Sequence, residues 1–488
     1  QVTIPTSSLS RTHYWPRESF FMDIGINDAD TAARESQLMW AGKGDNWNHP
    51  HNFARVDLTE IKEEDRRPNI ILIINDRFNY EAFGAAGNPY LHTPAIDDLA
   101  KYGVRFKNAY ASSVFASASR SSIITGFFPS ETGVRTNNSA IHSDIQNTGQ
   151  YLSEHGYETV WAGKWMLPED YPLADTQEIK GFEILDFLDE SDISNRRGII
   201  DAPLSRQVMK YLKKRKRKPF FMVVSFQKPA IIELFMQNQD LFDAPVHQGN
   251  TPPLPENYEY GNEPDYLKLQ RENPDVNDHL FLAREFTKNE WRNYRFQYYK
   301  IIEDLDKNIE SIISSMEAEG LDQNTIIIFT GSYGDPLGAH AWAGGNSFYE
   351  GSVKVPLLIT DFNNEPEALT TEVPISGIDI CPTILELAGI SDSLFGFPGK
   401  SLVSFLSNPD TTIHSVIFSE TFIEINDSLY SGSMVFNGRY KYSLFSFGTK
   451  REQLFDLRDD PLELRNLANY KAYKQVKNRL KGEIEDWR

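Results

Sequence analysis

Short apolar segments with polar boundaries constrain this fold more than any other sequence feature. Residues 68–76 read Pro-Asn-Ile-Ile-Leu-Ile-Ile-Asn-Asp, and similar runs recur at 158–162, 220–226, 325–330 and 355–360. Unbroken apolar strands are typical of a parallel sheet that is covered on both faces. Helical periodicity lies between the runs, at 94–102, 147–155 and 291–319. The alternation predicts an α/β fold with a large, mostly parallel sheet sandwiched by helices.

Three segments of different character divide the chain. Residues 1–67 are polar and aromatic with little periodicity, which predicts an N-terminal extension that wraps the core. Residues 68–392 carry the strand and helix alternation and predict the α/β domain. Residues 393–488 carry short alternating strands, a hairpin turn at Asn437-Gly438 and a closing helix. This last segment predicts a small antiparallel sheet with one helix.

Composition and charge exclude several functions. The net charge of −20 argues against binding to nucleic acid or to anionic membranes. No apolar run approaches the about 20 residues that a membrane span needs. The lone cysteine, Cys381, excludes an intrachain disulfide and a cysteine metal cluster. Because the chain starts at Gln1 and has glycosylation triplets at Asn137 and Asn426, we expect an exported protein, secreted or periplasmic.

Polar residues at the ends of the predicted strands define a candidate site, because ligands of parallel α/β sheets bind there. These residues are Asn75, Asp76, Lys164, Lys228, Ser332 and Tyr333. Another segment, residues 116–122, is rich in small hydroxyl residues, precedes an apolar helical stretch and contains Arg120, which suits an anion at a helix start. Together, these residues predict a pocket in which Arg120, Lys164 and Lys228 bind an anion. Each residue taken alone can equally be interpreted as an ordinary polar residue of a loop.

The ordered motifs resemble the sulfatase family of the alkaline-phosphatase-like superfamily. Residues 67–76 are similar to its opening strand and acidic metal pair, and residues 93–100 to its TPNLDRLA helix. Gly163-Lys164-Trp165 is similar to its GKWH segment, and residues 325–350 to its second metal region. The resemblance covers most of residues 67–470. It implies that family's fold, a Ca²⁺ ion, and a nucleophile made by oxidising cysteine or serine to formylglycine.

The sequence departs from the family pattern at the nucleophile and the metal. Ala116 stands at the position where the resemblance implies the nucleophile, and its methyl group has no heteroatom to oxidise. The implied metal positions carry Asn75, Asp76, Ser332 and Tyr333. Because Ca²⁺ prefers several carboxylate ligands, we expect its binding to be doubtful and predict no cofactor.

Three further positions lack the family's charged groups. Met166 and Ala230 stand where the resemblance implies histidines, and Gly345 where it implies a lysine. Arg120 and Lys164 remain as relic catalytic positions. We therefore predict a pseudo-sulfatase, which is not an enzyme and serves assembly with other protein chains or binds a sulfated or other anionic ligand.

Two alternatives stay open. In the first, the chain is an active sulfate- or phosphate-ester hydrolase of altered mechanism, with Ser117 or Ser119 as nucleophile. In the second, it is a module that binds sulfated glycans through Arg120, Lys164 and Lys228. His340 resembles a family position that lies near the site, and it is interpreted either as a ligand contact or as loop packing.

Overall fold

The central strand of the large sheet, β1 (Asn69–Asn75), is buried along its whole length. In the computed structural model it pairs in parallel with β6 (Phe220–Phe226) on one side and β7 (Thr325–Gly331) on the other. The structure describes residues 67–137, 139–167, 179–185, 201–214, 218–236, 251–259, 261–363, 368–391 and 395–488. All of these residues belong to one unit, Arg66–Arg488. The predicted N-terminal extension therefore lies outside the described residues, except for Arg67.

The large sheet has eight strands in the order β5-β4-β6-β1-β7-β8-β2-β9. Its remaining members are β2 (Gly103–Phe106), β4 (Glu158–Gly163), β5 (Glu183–Ile184), β8 (Leu357–Asp361) and β9 (Leu369–Thr371). Only β8 runs antiparallel to its neighbours within this sheet. A two-stranded pair of β3 (Ala109–Tyr110) and β10 (Ile375–Ser376) lies apart from it. The predicted large and mostly parallel sheet is confirmed.

The C-terminal sheet is antiparallel, in the order β11-β12-β13-β14. Its strands are β11 (Ile417–Ile425), β12 (Ser428–Phe436), β13 (Tyr440–Phe445) and β14 (Glu452–Asp456). The predicted turn at Asn437-Gly438 joins β12 to β13, with Gly438 at a φ of 86° that favours glycine. The predicted small antiparallel sheet is confirmed. The boundary of a separate domain at residue 393 stays a prediction.

Thirteen helices are described, numbered here along the chain. They are α1 (Pro94–Lys101), α2 (Ala116–Thr125), α3 (Pro129–Thr132), α4 (Thr148–Glu154), α5 (Asp201–Lys214), α6 (Ile232–Met236), α7 (Asp265–Glu272), α8 (Asp278–Ala283), α9 (Lys288–Ala318), α10 (Glu350–Val353), α11 (Ile380–Leu387), α12 (Val403–Ser407) and α13 (Lys474–Trp487). None of the helices in the described ranges is long and apolar enough to cross a bilayer.

Alternate residues of β1 point into two separate cores. Ile71 and Ile73 pack in the core on one face of the sheet, with side chains from α1, α5 and α9. Ile70, Leu72 and Ile74 pack in the core on the other face, with side chains from α2, α4 and α11. Both faces are thus covered, which explains why the strand is apolar at every position between its terminal asparagines.

A buried group of charges joins the C-terminal sheet to the α/β layers. Lys441 on β13 is fully buried, and its Nζ lies 2.6 Å from Glu350 Oε1 and 2.7 Å from Glu463 Oε1. Burial raises the pKa of Glu463 to about 7, and the neighbouring Glu350 carboxylate acts in the same direction. Two carboxylates thus share one ammonium, and the second is ionised only at a cost.

We expect this group to make stability depend on pH. The pKa of Glu463 lies near 7 in the folded chain and at 4.5 ordinarily, so its favourable contribution is complete below 4.5 and disappears as the pH rises through 7. The Tm of the wild type relative to that of Glu463→Gln should therefore fall between pH 5 and pH 8. Thermal unfolding at several pH values measures this difference in Tm, with Glu424→Gln at an exposed β11 position as the control. A constant Tm difference would contradict the shifted pKa.

Candidate anion site at the carboxyl edge of the sheet

Four neighbouring strands end at one edge and bring the predicted site residues together. In the order β4-β6-β1-β7, these strands end at Gly163, Phe226, Asn75 and Gly331. Lys164, Asp76 and Ser332 directly follow three of them. Helix α2 supplies Arg120 from the adjoining layer. As the carboxyl-edge rule predicts, these residues lie together, and their role as a binding site stays a prediction.

Asp76 is the centre of the site. Its Oδ1 accepts hydrogen bonds from Arg120 Nε at 3.0 Å and from Ser332 Oγ at 2.5 Å, and its Oδ2 accepts one from Lys164 Nζ at 2.6 Å. Arg120 Nη1 also donates to Ser225 Oγ at 2.7 Å and to the carbonyl oxygen of Lys164 at 3.0 Å. One carboxylate thus fixes two cations and a hydroxyl from three other segments of the chain.

The electrostatics keep this carboxylate ionised. Asp76 is almost wholly buried, and burial by itself would raise its pKa. The adjacent charges of Arg120 and Lys164 outweigh burial and hold the pKa of Asp76 well below its ordinary value. With two cations and one anion, the group carries a net positive charge, which favours an anionic ligand.

The first turn of α2 contains polar atoms that have no partner. Ser117 Oγ and Arg120 Nη2 are buried, and neither has a hydrogen-bond partner among the residues that the structure describes. A separation of three residues places these two side chains on the same face of the helix. Ser119 differs, because its hydroxyl donates to the carbonyl oxygen of Ser332. Unpaired buried polar atoms are costly, so this pair marks a place where a ligand would supply partners.

Lys228 lies at the same edge but outside the Asp76 group. Its Nζ pairs with Asp304 Oδ2 at 2.7 Å and lies 3.9 Å from Asp201 Oδ2. The predicted anion pocket is therefore brought together around Arg120 and Lys164. A role for Lys228 in it stays a prediction.

Tyr333 and Gly345 are linked by packing. A Cβ atom at Gly345 would lie 2.2 Å from the carbonyl oxygen of Val114 and 2.8 Å from Tyr333 Cδ2. The partly buried ring and the neighbouring backbone thus exclude any side chain at 345, including the lysine that the resemblance implied. Met166 has a positive φ of 63°, and neither it nor Ala230 can transfer a proton through its side chain.

The residues at the implied metal position do not fit Ca²⁺. Both oxygens of Asp76 are engaged by Arg120, Lys164 and Ser332. Asn75 Oδ1 is buried and has no hydrogen-bond partner in the described part of the chain, but it is a single neutral oxygen. Within the described ranges, no group of three or more histidine, cysteine or acidic residues could hold a metal ion. Because one ammonium and one guanidinium group already contact the carboxylate of Asp76, a Ca²⁺ ion would lack its main ligand.

Sequence reasoning missed a second charged network beside Asp76. Arg77 is buried and pairs with Asp335 Oδ2 at 2.9 Å and with Glu233 Oε1 at 2.5 Å. His279 Nε2 lies 3.3 Å from the other oxygen of Glu233. Burial would raise the pKa of Glu233, but the Arg77 charge lowers it to about 2. Adjacency to Asp76 was the available signal for Arg77, whereas Glu233 and His279 come from short helices that carry no motif.

His340 is explained by packing. It is buried, and its ring stacks on that of Tyr349 with centroids 3.9 Å apart. Burial, together with the charges of Lys441 and Arg271, lowers the pKa of His340 to about 3, so the ring is neutral at physiological pH. The contact favours loop packing over a role as a ligand contact.

Comparison with known proteins decides the family. The family model described as Sulfatase matches residues 68–390, and the model described as N-sulphoglucosamine sulphohydrolase, C-terminal, matches residues 338–488. The chain belongs to the sulfatase family. Its fold agrees with that of a solved 2-O GAG sulfatase, with a TM-score of 0.75, 25% identity, and coverage of 86% of this chain and 92% of that chain.

Two relatives from Bacteroides thetaiotaomicron are similar over most of their length. The Delta 4,5-hexuronate-2-O-sulfatase is 26% identical over 445 residues, which cover 86% of this chain and 89% of the relative. The N-acetylglucosamine-6-O-sulfatase is 25% identical over 486 residues, with 87% of each chain covered. Both are named for the enzymatic removal of sulfate.

These relatives overturn the prediction that the chain is not an enzyme. That prediction was wrong because it treated the changes at the nucleophile, metal, histidine and lysine positions, Ala116 among them, as the loss of all catalysis. The first turn of the same helix keeps another buried hydroxyl at Ser117, next to retained cations. The comparisons favour the alternative of an active ester hydrolase over a pseudo-sulfatase.

Because the described ligand set does not fit Ca²⁺, we expect EDTA or millimolar CaCl₂ to leave the Tm unchanged. An ion at about one hundred times its dissociation constant would stabilise the fold by about 2.7 kcal/mol, which thermal unfolding detects easily. Ser332→Asp adds a second carboxylate beside Asp76 and should create a response to CaCl₂. A rise in the Tm of the wild type with CaCl₂ would show that the ion displaces Lys164 or Arg120.

Proposed function

We propose that this sulfatase hydrolyses a sulfate monoester of a saccharide without formylglycine at position 116. The observation that carries the proposal is the pair of unpartnered buried atoms, Ser117 Oγ and Arg120 Nη2, beside the positively charged Asp76 group. An ester sulfate would accept from Arg120 and from the first turn of α2, where the helix dipole also favours an anion. Relatives named for sulfated sugars support a saccharide as the substrate class.

In this proposal, Ser117 takes the role of nucleophile. Its Oγ forms a bond to sulfur while the bond between sulfur and the sugar oxygen breaks, and the hydroxyl proton ends on the released sugar. Water then attacks the sulfur, restores the serine hydroxyl and releases hydrogen sulfate. Arg120 and Lys164 hold the sulfuryl oxygens during both steps, so their charge is in place before the reaction begins.

The structure offers a reason to prefer Ser117 to Ser119. The Ser119 hydroxyl already donates to the carbonyl oxygen of Ser332, so an attack by its oxygen would break a buried hydrogen bond. Ser117 has no such bond to lose among the described residues. It also shares a helix face with Arg120, whereas residue 119 is one position away from it.

Export of the protein, its glycosylation at Asn137 and Asn426, and assembly with other chains stay predictions. A location outside the cytoplasm would suit an enzyme that acts on large saccharides. Mass spectrometry of the natural protein, after recovery from its native compartment, tests the location and both glycosylation sites together.

Ser117→Ala should reduce sulfate release from a sugar sulfate by at least ~10³-fold, since the loss of a serine nucleophile can cost about 10⁶-fold in rate. Ser119→Ala should lower stability by about 1 kcal/mol through the lost hydrogen bond and keep most of the activity. Ser122→Ala is the matched control, because the Ser122 hydroxyl donates to the Ala118 carbonyl oxygen within its own helix. Ion chromatography of free sulfate measures all four proteins.

Trapping the covalent form gives an independent test. After rapid acid quenching of the reaction, the peptide that contains residues 116–122 should carry a sulfuryl group. This adduct should be absent in Ser117→Ala. A phosphate ester tested in parallel distinguishes the two ester classes. Binding of the sugar sulfate with no release by the wild type would instead support a sulfated-glycan-binding module and would contradict the proposal.

A further inference from the structure

A cavity of about 680 Å³ lies at the carboxyl edge of the sheet, as the Asp76 group does, but beyond β7. Its walls come from the segment after β1, from β2 and the residues after it, and from the C-terminal sheet. Its size is within the range of about 300–1,000 Å³ that is usual for small-molecule sites. None of its lining residues belongs to the Asp76 group.

Two partly buried cations face this cavity, and nearby carboxylates neutralise their charges only in part. Arg105 donates from Nη1 to the carbonyl oxygen of Ala85 at 2.9 Å and has no carboxylate within ion-pair distance in the described ranges. Burial lowers the pKa of Arg105 from its ordinary value, and the nearby carboxylate of Glu81 opposes this shift only in part. Lys354 Nζ has one distant ion pair, 3.4 Å from Glu350 Oε2. Both groups therefore retain donors for an anion.

The acidic residue at the base of the cavity is already committed to other partners. Glu350 accepts from Tyr110 OH, and its Oε1 lies 2.6 Å from the buried ammonium of Lys441. Lys441 also pairs with Glu463, so it balances the charge of Glu350 only in part. The lining contains the four cations Arg105, Lys107, Lys354 and Arg458 and the three anions Glu81, Glu350 and Glu372. The cavity has an excess of positive charge.

The rim combines exposed charge with an aromatic face. Lys107 pairs with Glu372 at 3.5 Å and Arg458 with Asp459 at 3.3 Å, and all four side chains are solvent-exposed. Exposed pairs of this kind contribute little and exchange easily with a ligand. Lys354 Nζ lies 4.8 Å from the centre of the Tyr80 ring, so a cation and an aromatic surface meet at one place. Such a combination suits a polar ring that bears a negative group.

We propose that this cavity binds an anionic saccharide unit, through Lys354 and Arg105 at its base and Arg458 at its rim. The negative group is a carboxylate or a sulfate, which make the same charge-assisted hydrogen bonds with these donors. The proposal concerns binding and does not depend on turnover at the Asp76 group. It gives a saccharide chain a second place of attachment on the protein.

Calorimetric titration of the full chain tests the proposal with three probes: glucuronic acid, glucose 6-sulfate and glucose. The acidic sugars should bind and glucose should not, and the stronger of the two identifies the preferred negative group. Lys354→Met should weaken binding of that sugar at least about tenfold, and Arg458→Ala about two- to threefold. Lys481→Met, at an exposed position on α13, is the matched control and should bind as the wild type does.

Hydrogen exchange of the unmodified protein locates the ligand even if Lys354→Met fails to fold. The preferred sugar should protect the backbone of residues 103–110 and 350–356. Equal binding of glucose and of the acidic sugars would overturn the proposal. So would protection confined to residues 116–120 and 163–165, because the ligand would then occupy the Asp76 group alone.

Discussion

The pairing of Asp76 with Arg120, Lys164 and Ser332 is the constraint on which the rest of the site depends. These contacts hold the ends of β1, β4 and β7 to the start of α2. They also turn a position where the family pattern implies a calcium ligand into the counterion of two protein cations. The consequence is a net positive charge at this position, which favours an anion over a divalent cation.

Much of the fold could be predicted because its determining signals are local. β1 follows directly from an apolar run, and β13 follows the predicted turn at Asn437-Gly438. The long helix α9 begins at Lys288, three residues before the predicted start, because Thr287 and Glu290 form a capping box ahead of the apolar stripe. The predicted closing helix is α13, which begins at Lys474 directly after a 3₁₀ turn.

The candidate site could be predicted only in part. Its position followed from the strand ends, and Asp76, Arg120 and Lys164 do meet there. The partner of Lys228 could not be foreseen, because Asp304 approaches from α9, far away in the sequence. Arg77, Glu233 and His279 were missed for the same reason, since their contacts join segments that share no motif. Loss of catalysis was inferred from a set of changed positions, whereas only the three-dimensional structure shows that Ser117 Oγ has no partner among the described residues.

The central claim is that the Asp76 group and the start of α2 together bind an ester anion. Diffraction from crystals soaked in selenate, an isostere of sulfate with anomalous scattering, tests this claim most directly. The account predicts an anomalous peak within hydrogen-bond distance of Arg120 Nη2 and Ser117 Oγ, with Asp76 still bound to Lys164. Full selenate occupancy elsewhere with no peak at this position, or a calcium ion bound to Asp76 in crystals grown with CaCl₂, would contradict it.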